Sequence, residues 1–402
     1  MTVGWASTTL EKAGTWVSGG TPTTSDESYW GGTIPWMSSK SLTNFRVRDS
    51  DRRLTALGAE NGTKLVPEGT ILMVVRGMSL KNEFRMGITQ REVALSQDLK
   101  GLIPRSDIDA TFLAYALQSR SDDLLDMVDE AGHGTGRLQT DRLFGLELPL
   151  PPRAEQEAIA AMLGAVDDKI ESNRRAADTL VALIRALFER AISSHEVVYA
   201  PLGELTRAVT GRSYKSSELQ ESSTALVTLK SVDRNGGYKE SGLKPYTGPH
   251  KPEQEVRPGE IVVAQTDLTQ GAEVVGRGVR VPKSGRYDTL VASLDLAIVR
   301  PVAGMPIEYL HGLLSSEAFR QHCRAHVTGT TVLHLAKDAM PTWSAPTVPR
   351  DEQERFAESV RPMLARMDAL SEESTRLVAL RDALLPDLLS GRVRVPVEGG
   401  IT

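Results

Sequence analysis

Pro152-Arg153-Ala154-Glu155-Gln156-Glu157 recurs 197 residues later as Pro349-Arg350-Asp351-Glu352-Gln353-Glu354. Each copy reads as a helix start. Proline lacks the donor that is orphaned in a first turn, and carboxylates suit the positive end of a helix. Working outward at the same offset, Leu180-Val181-Ala182-Leu183 returns as Leu377-Val378-Ala379-Leu380, Phe112-Leu113 as Tyr309-Leu310, and Leu117 as Leu314. Further upstream the offset becomes 190: Lys40-Ser41 matches Lys230-Ser231, and Gly69 before Thr70-Ile71-Leu72 matches Gly259 before Glu260-Ile261-Val262. An ordered set of matches is the signature of an internal duplication. It divides the chain into mixed units at 1–152 and 195–349, long helices at 153–194 and 350–391, and a tail at 392–402.

Within each mixed unit, short β-rich runs (Thr70–Val75, Ala225–Leu229, Glu260–Ala264) are punctuated by Gly and Pro. A helix is predicted near Ile108–Val128 and again near Ile307–Ala325, giving an α+β class. In the first long helix the seam Ile159, Leu163, Val166, Ile170, Asn173, Ala177, Leu180, Ile184, Leu187 steps four, three, four, three. That is a coiled-coil heptad. Shifted by 197 it becomes Phe356, Val360, Met363, Met367, Leu370, Ser374, Leu377, Arg381, Leu384. The two helices are expected to pack on each other, with Asn173 as a polar register marker and Leu180 facing Leu377. Leu163, Ile170, Leu187, Val360, Met367 and Leu384 are further packing positions. Pro362 should kink or delay the second helix, and Arg381 interrupts its seam. An ordinary helical hairpin would show the same periodicity and says nothing about function.

Composition narrows the class. The hydrophobic fraction of 40% and charged fraction of 25% are those of a globular protein. No run of about 18 apolar residues is present, so no membrane span is expected. Cys323 is the single cysteine, and the first residues carry no basic stretch followed by an apolar core, so a cytoplasmic location is expected. The net charge of −5 lacks the basic excess of a sequence-independent nucleic-acid binder.

Catalytic motifs are missing. Gly132-His133-Gly134-Thr135-Gly136 follows a predicted helix rather than a strand, so it reads as a turn between helix and strand instead of a phosphate loop. His322, Cys323 and His326 supply too few ligands for a metal site and read as a polar helix face. The chain has no Gly-Lys dipeptide, hence no Walker A loop, and no Gly-x-Ser-x-Gly. What remains is basic. Arg46, Arg48, Arg52 and Arg53 cluster beside Phe45, Lys40 precedes them, and Arg76, Lys81 and Arg85 follow the Thr70–Val75 run. In the second unit Lys230, Arg277, Arg280, Lys283 and Arg286 stand in comparable places. Such loops suit phosphate positioning and base-edge reading, although a solvated surface carries the same residues.

Val17-Ser18-Gly19-Gly20-Thr21-Pro22, Tyr29-Trp30-Gly31-Gly32, Ile34-Pro35-Trp36 and the junction Leu148-Pro149-Leu150-Pro151-Pro152-Arg153-Ala154-Glu155-Gln156 resemble the specificity subunits of type I restriction–modification systems. The second unit departs from the pattern, with Leu226-Val227 in place of Pro-Trp and Pro346-Thr347-Val348-Pro349 at its junction. The resemblance implies two target-recognition domains, each binding half of a split double-stranded DNA target, on two helices packed as an antiparallel coiled coil. It implies modification subunits that methylate adenine with S-adenosylmethionine, and a restriction and translocation subunit; S-adenosylmethionine, ATP and Mg would belong to those partners, and this chain would be non-catalytic. A helix of about 35 residues is roughly 50 Å long, near one and a half turns of B-DNA. A DNA- or protein-binding adaptor of related architecture outside a restriction system remains the alternative.

Overall fold

The computed structural model describes residues 4–131, 135–234, 236–269, 271–302 and 304–396. The repeated Pro-Arg-x-Glu-Gln-Glu stretch opens two long helices, Arg153–Ser193 and Arg350–Leu389. Its physical role explains why it recurs. Gln156 is buried; its Nε2 donates to the Pro151 carbonyl at 2.9 Å and its Oε1 accepts from the Asp109 N–H at 2.8 Å. Gln353 donates to the Val348 carbonyl at 2.9 Å in the same way. Each glutamine therefore fastens the first turn to the chain that enters it, satisfying backbone groups that a helix end leaves open.

The chain folds as two compact units: residues 1–170 with 376–402, and residues 171–375. In the first, a five-stranded sheet runs Gly14–Ser18, Leu99–Pro104, Ile71–Val74, Met86–Thr89, Arg46–Val47. A four-stranded sheet, centred on Trp30–Met37 and Val93–Leu95, and a ribbon of Val128–Ala131, Thr135–Leu138 and Arg76–Gly77 complete it. The second unit repeats the plan. Its four-stranded sheet runs Thr206–Thr210, Leu296–Pro301, Ile261–Ala264, Gly278–Arg280, and its ribbon joins Thr266–Asp267, Leu333–Leu335 and Val327–Thr328. The offsets hold to the residue: Ile71–Val74 and Ile261–Ala264 differ by 190, Leu99–Pro104 and Leu296–Pro301 by 197. Gly69 and Gly259 precede the matched central strands in left-handed backbone, φ +79° and +89°, which only glycine adopts at little cost.

Three expectations are corrected. The helices near Ile108–Val128 and Ile307–Ala325 each break in two: Ala110–Gln118 with Ser121–Asp126, and Ile307–Ser315 with Glu317–Ala325. In the second unit the break lies at Ser316, in extended backbone, whose hydroxyl caps the next helix at the Phe319 N–H. A strand, Val128–Ala131, separates the glycine-rich stretch from the helix, so Thr135-Gly136 opens a hairpin strand; Gly132, His133 and Gly134 lie outside the described residues. Finally, the second long helix runs unbroken through exposed Pro362, because Val360 and Leu364 on either side are buried and hold the backbone.

The long helices meet antiparallel within each unit. In the first, Arg381 donates to Asp167 at 2.9 Å, and Tyr115 donates its hydroxyl to the same carboxylate. In the second, buried Asn173 donates to Glu373 at 2.9 Å and to Ser374 at 3.3 Å. Counting along from those pairs, Leu180 has Met367 opposite it, and Leu377 has the level of Ile170. The expected Leu180–Leu377 pair is thus replaced by two others, because antiparallel partners run in opposite directions whereas repeat equivalents run in the same one. Leu163 and Val360 are buried; Ile170, Leu180, Leu187, Met367, Leu377 and Leu384 are half-buried.

The tail returns to the start of the first long helix. Arg394 Nη1 lies 2.9 Å from both oxygens of buried Glu155, and the Trp5 indole N–H donates to the same carboxylate at 3.0 Å. Glu352, the repeat equivalent of Glu155, is met by His195 at 3.0 Å from the segment that follows the first long helix. Residues 397–402 of the expected tail are outside the described residues.

Candidate nucleic-acid interface

The basic residues singled out by sequence fall into two groups. Arg46 is spoken for by its own fold: its guanidinium pairs with Asp168 and donates to the Gly164 carbonyl, both on the first long helix. Arg280 does the same in the second unit, forked onto Asp368 at 2.6 and 2.8 Å. The two arginines are not repeat equivalents: Ile88 holds the place of Arg280, and Arg46 pairs with it from the neighbouring strand. Each anchors its sheet to a long helix. Arg277 is half-buried and donates to the Glu273 carbonyl at 2.7 Å; burial, with Arg320 nearby, lowers its pKa from the ordinary arginine value.

The others face solvent, apart from half-buried Arg85. Arg52 lies over Trp30, 3.6 Å from the ring centroid, with Trp36 5.2 Å away, a cation–π stack that fixes its direction. Arg53 pairs with Asp49, and Arg85 with Glu83 at 2.9 Å and the Ser39 carbonyl at 3.3 Å. Lys40 and Lys230 occupy matched exposed positions; Arg48, Lys81, Lys283 and Arg286 are exposed as well. Arg286 stands 5.0 Å from the Tyr287 ring centroid.

One residue that sequence reasoning missed changes the picture. On the first ribbon Arg137 sits directly opposite Arg76 across an antiparallel pair, both exposed, and neither has an ion-pair partner among the described residues. Asp129, the other cross-strand neighbour of Arg137, is engaged by Arg142 at 2.9 Å. Like charges directly opposite on a sheet are destabilising, and two guanidinium forks side by side have the chemistry to take a phosphate or a guanine edge. In the second unit the same two positions hold Thr266 and His334, paired across the ribbon at matched register. Thr266 is buried and donates to Asp295 at 2.9 Å, whereas His334 is exposed. The sequence signal for Arg137 was slight: a lone arginine 61 residues from Arg76, placed beside it only by the ribbon.

The histidine cluster is structural. His322 Nε2 stands 2.8 Å from the Ala339 carbonyl, His326 Nδ1 2.8 Å from the His322 carbonyl, and Cys323 is buried with its thiol pushed up to about 12 by burial. Among the described residues no group of three or more His, Cys, Asp or Glu could hold a metal ion, and no helix is long and apolar enough to cross a membrane.

Residues 2–180 match a family model described as the type I restriction modification DNA specificity domain. The type I restriction enzyme EcoR124I/EcoR124II specificity subunit of Escherichia coli is 30% identical over 161 residues, which span 40% of this chain and 40% of that protein. The type I restriction enzyme MjaIX specificity subunit of Methanocaldococcus jannaschii is 22% identical over 425 aligned positions, covering 97% of this chain and 94% of the relative. Among solved structures, a type I restriction–modification system S subunit from M. genitalium is similar in fold, with a TM-score of 0.55 at 16% identity over 96% of each chain.

Proposed function

We propose that this chain, a member of the type I restriction–modification specificity-subunit family, reads a split double-stranded DNA target with one ribbon per unit. Arg76 and Arg137 are the readers in the first unit, Thr266 and His334 hold their places in the second, and the exposed cations Arg48, Lys40 and Lys230 position phosphates. Arg46 and Arg280 orient the sheets on the helices instead of touching DNA. The chain does no chemistry. Modification subunits bring S-adenosylmethionine and methylate adenine, a restriction and translocation subunit uses ATP and Mg, and both dock on the long helices. The single observation that carries this reading is the exposed Arg76–Arg137 pair, a charge arrangement that lowers stability and suits an anion. An acidic net charge of −5 is compatible with it, because the cations needed are local and partners supply further phosphate contacts.

Selection from a randomised duplex library by the assembled complex tests it. Two fixed blocks separated by an unread gap are expected, and Arg76→Ala should degrade one block. Enrichment of a single continuous block, or of nothing beyond charge-driven binding, would sink the split-target reading.

A further inference from the structure

We infer that Met78 and Leu268 are the apolar base contacts of their units, an assignment that rests on the DNA reading above. Met78 is 62% exposed and Leu268 71% exposed. The two occupy the same place. Ile71–Val74 and Arg76–Gly77 in one unit correspond at an offset of 190 to Ile261–Ala264 and Thr266–Asp267 in the other, and Met78 and Leu268 follow at that offset. Single exposed apolar residues are ordinary on any surface. A large apolar side chain left in water at the matched position of two diverged copies, one residue beyond the ribbon strand, is not.

The backbone holds each one out. Gly77, at φ +150°, leads into the turn Met78–Lys81, where the Asn82 and Glu83 N–H groups donate to the Ser79 carbonyl at 3.0 and 2.8 Å and Leu80 is buried beneath. In the second unit the buried Asp267 carboxylate gathers the loop by accepting from the Thr269, Val274 and Val275 N–H groups and the Thr269 hydroxyl. Two unrelated sets of hydrogen bonds thus reach the same presentation. A side chain fixed this way loses little further freedom on binding.

The surroundings choose the occupant. Arg76 is two residues from Met78, and Arg137 is across the ribbon, so the apolar side chain stands beside two exposed cations. An apolar protein partner would have to desolvate those charges without pairing them. DNA satisfies both, offering phosphates or guanine edges to the arginines and an apolar base surface to the thioether. Met and Leu are among the side chains that wedge base steps, and apolar groups also meet the thymine methyl.

The test uses the complex assembled with its modification subunits, carrying Met78→Gln or Leu268→Gln. Met78→Gln should weaken binding of the selected duplex roughly tenfold and relax one half of the target, and Leu268→Gln should do so for the other half. Melting temperature, assembly without DNA and the salt slope should stay unchanged, since no phosphate contact is lost. Deoxyuridine in place of thymine that reproduces the loss identifies a methyl contact; a 2-aminopurine probe that brightens only with Met78 or Leu268 present identifies a parted base step. Unchanged affinity and specificity in both variants, while Arg76→Ala and Arg137→Ala still lose binding, would overturn the apolar contact and leave the DNA reading standing. Loss of assembly in the absence of DNA would overturn it in favour of a subunit contact. No effect of the arginine variants either would remove the DNA reading together with the inference.

Discussion

If Arg76 and Arg137 read DNA as proposed, they trade stability for binding, and a single substitution can expose it. Cross-strand like charges cost a few tenths to about 1 kcal/mol, so Arg137→Ala should raise the melting temperature slightly at low salt and lose that gain at high salt, where the repulsion is screened. The same change, like Arg76→Ala, should weaken DNA binding by roughly 1–3 kcal/mol if the side chain reads a guanine. A fall in thermal stability at low salt would show that the pair is not repulsive. His311 carries a second prediction. Its Nδ1 is buried with no hydrogen-bond partner among the described residues, and burial, with the Arg280 charge nearby, pushes its pKa down to about 4. A depressed imidazole is neutral in the fold and takes up its proton on unfolding, so the stability it supports is complete above its ordinary pKa of about 6.5 and is lost as pH falls toward 4. Melting curves at pH 7 and pH 5 should therefore converge in His311→Gln relative to the parent; an unchanged gap between the two pH values would rule this out.

At the scale of elements, the repeat conserves volume rather than residues. Where a short helix packs on the long ones, the first unit places Tyr115 with Leu385 in one buried cluster. The second unit has Gly312 and Phe188 at the corresponding positions, and a Cβ on Gly312 would lie 2.3 Å from Phe188 Cδ2. Gly312→Ala should accordingly cost about 1–3 kcal/mol by overpacking, and Phe188→Leu in the same chain should recover part of it, a coupling that a double-mutant cycle measures by denaturant unfolding. Additive losses would mean that the two side chains do not compete for one space. This exchange also marks where sequence stops being informative. The helix starts at Pro152 and Pro349, the seam and the central strands were legible because burial imposes periodicity on each of them. The glycine's role was not, since nothing local connects Gly312 to a phenylalanine 124 residues earlier. Arg137 escaped for the same reason, and Pro362 misled because helix propensity is local whereas the packing of Val360 and Leu364 is not. Arg46 and Arg280 looked like surface cations until Asp168 and Asp368 came into reach.

For the molecule as a whole, each unit has its own sheets, its own ribbon and its own Arg–Asp anchor onto a long helix. If each unit reads its own half of a split target, as proposed, exchanging residues 1–152 for the matching region of a relative should alter one half of the methylated target and leave the other intact. Genome-wide methylation mapping reads the outcome, and a target changed in both halves at once would defeat modular reading. The meeting of Trp5 and Arg394 on Glu155 has a consequence of another kind. Within the first unit Trp5 and Arg394 converge on one carboxylate, while in the second His195 reaches Glu352 from a segment continuous with the first long helix. A gene rewritten to begin near Ser194, with residues near 396 joined to those near 4 by a short flexible linker, should encode a circular permutant with the same core. Its melting temperature should stay close to the parent's, and a permutant that does not fold would show that the meeting of Trp5 and Arg394 on Glu155 cannot replace a continuous chain there.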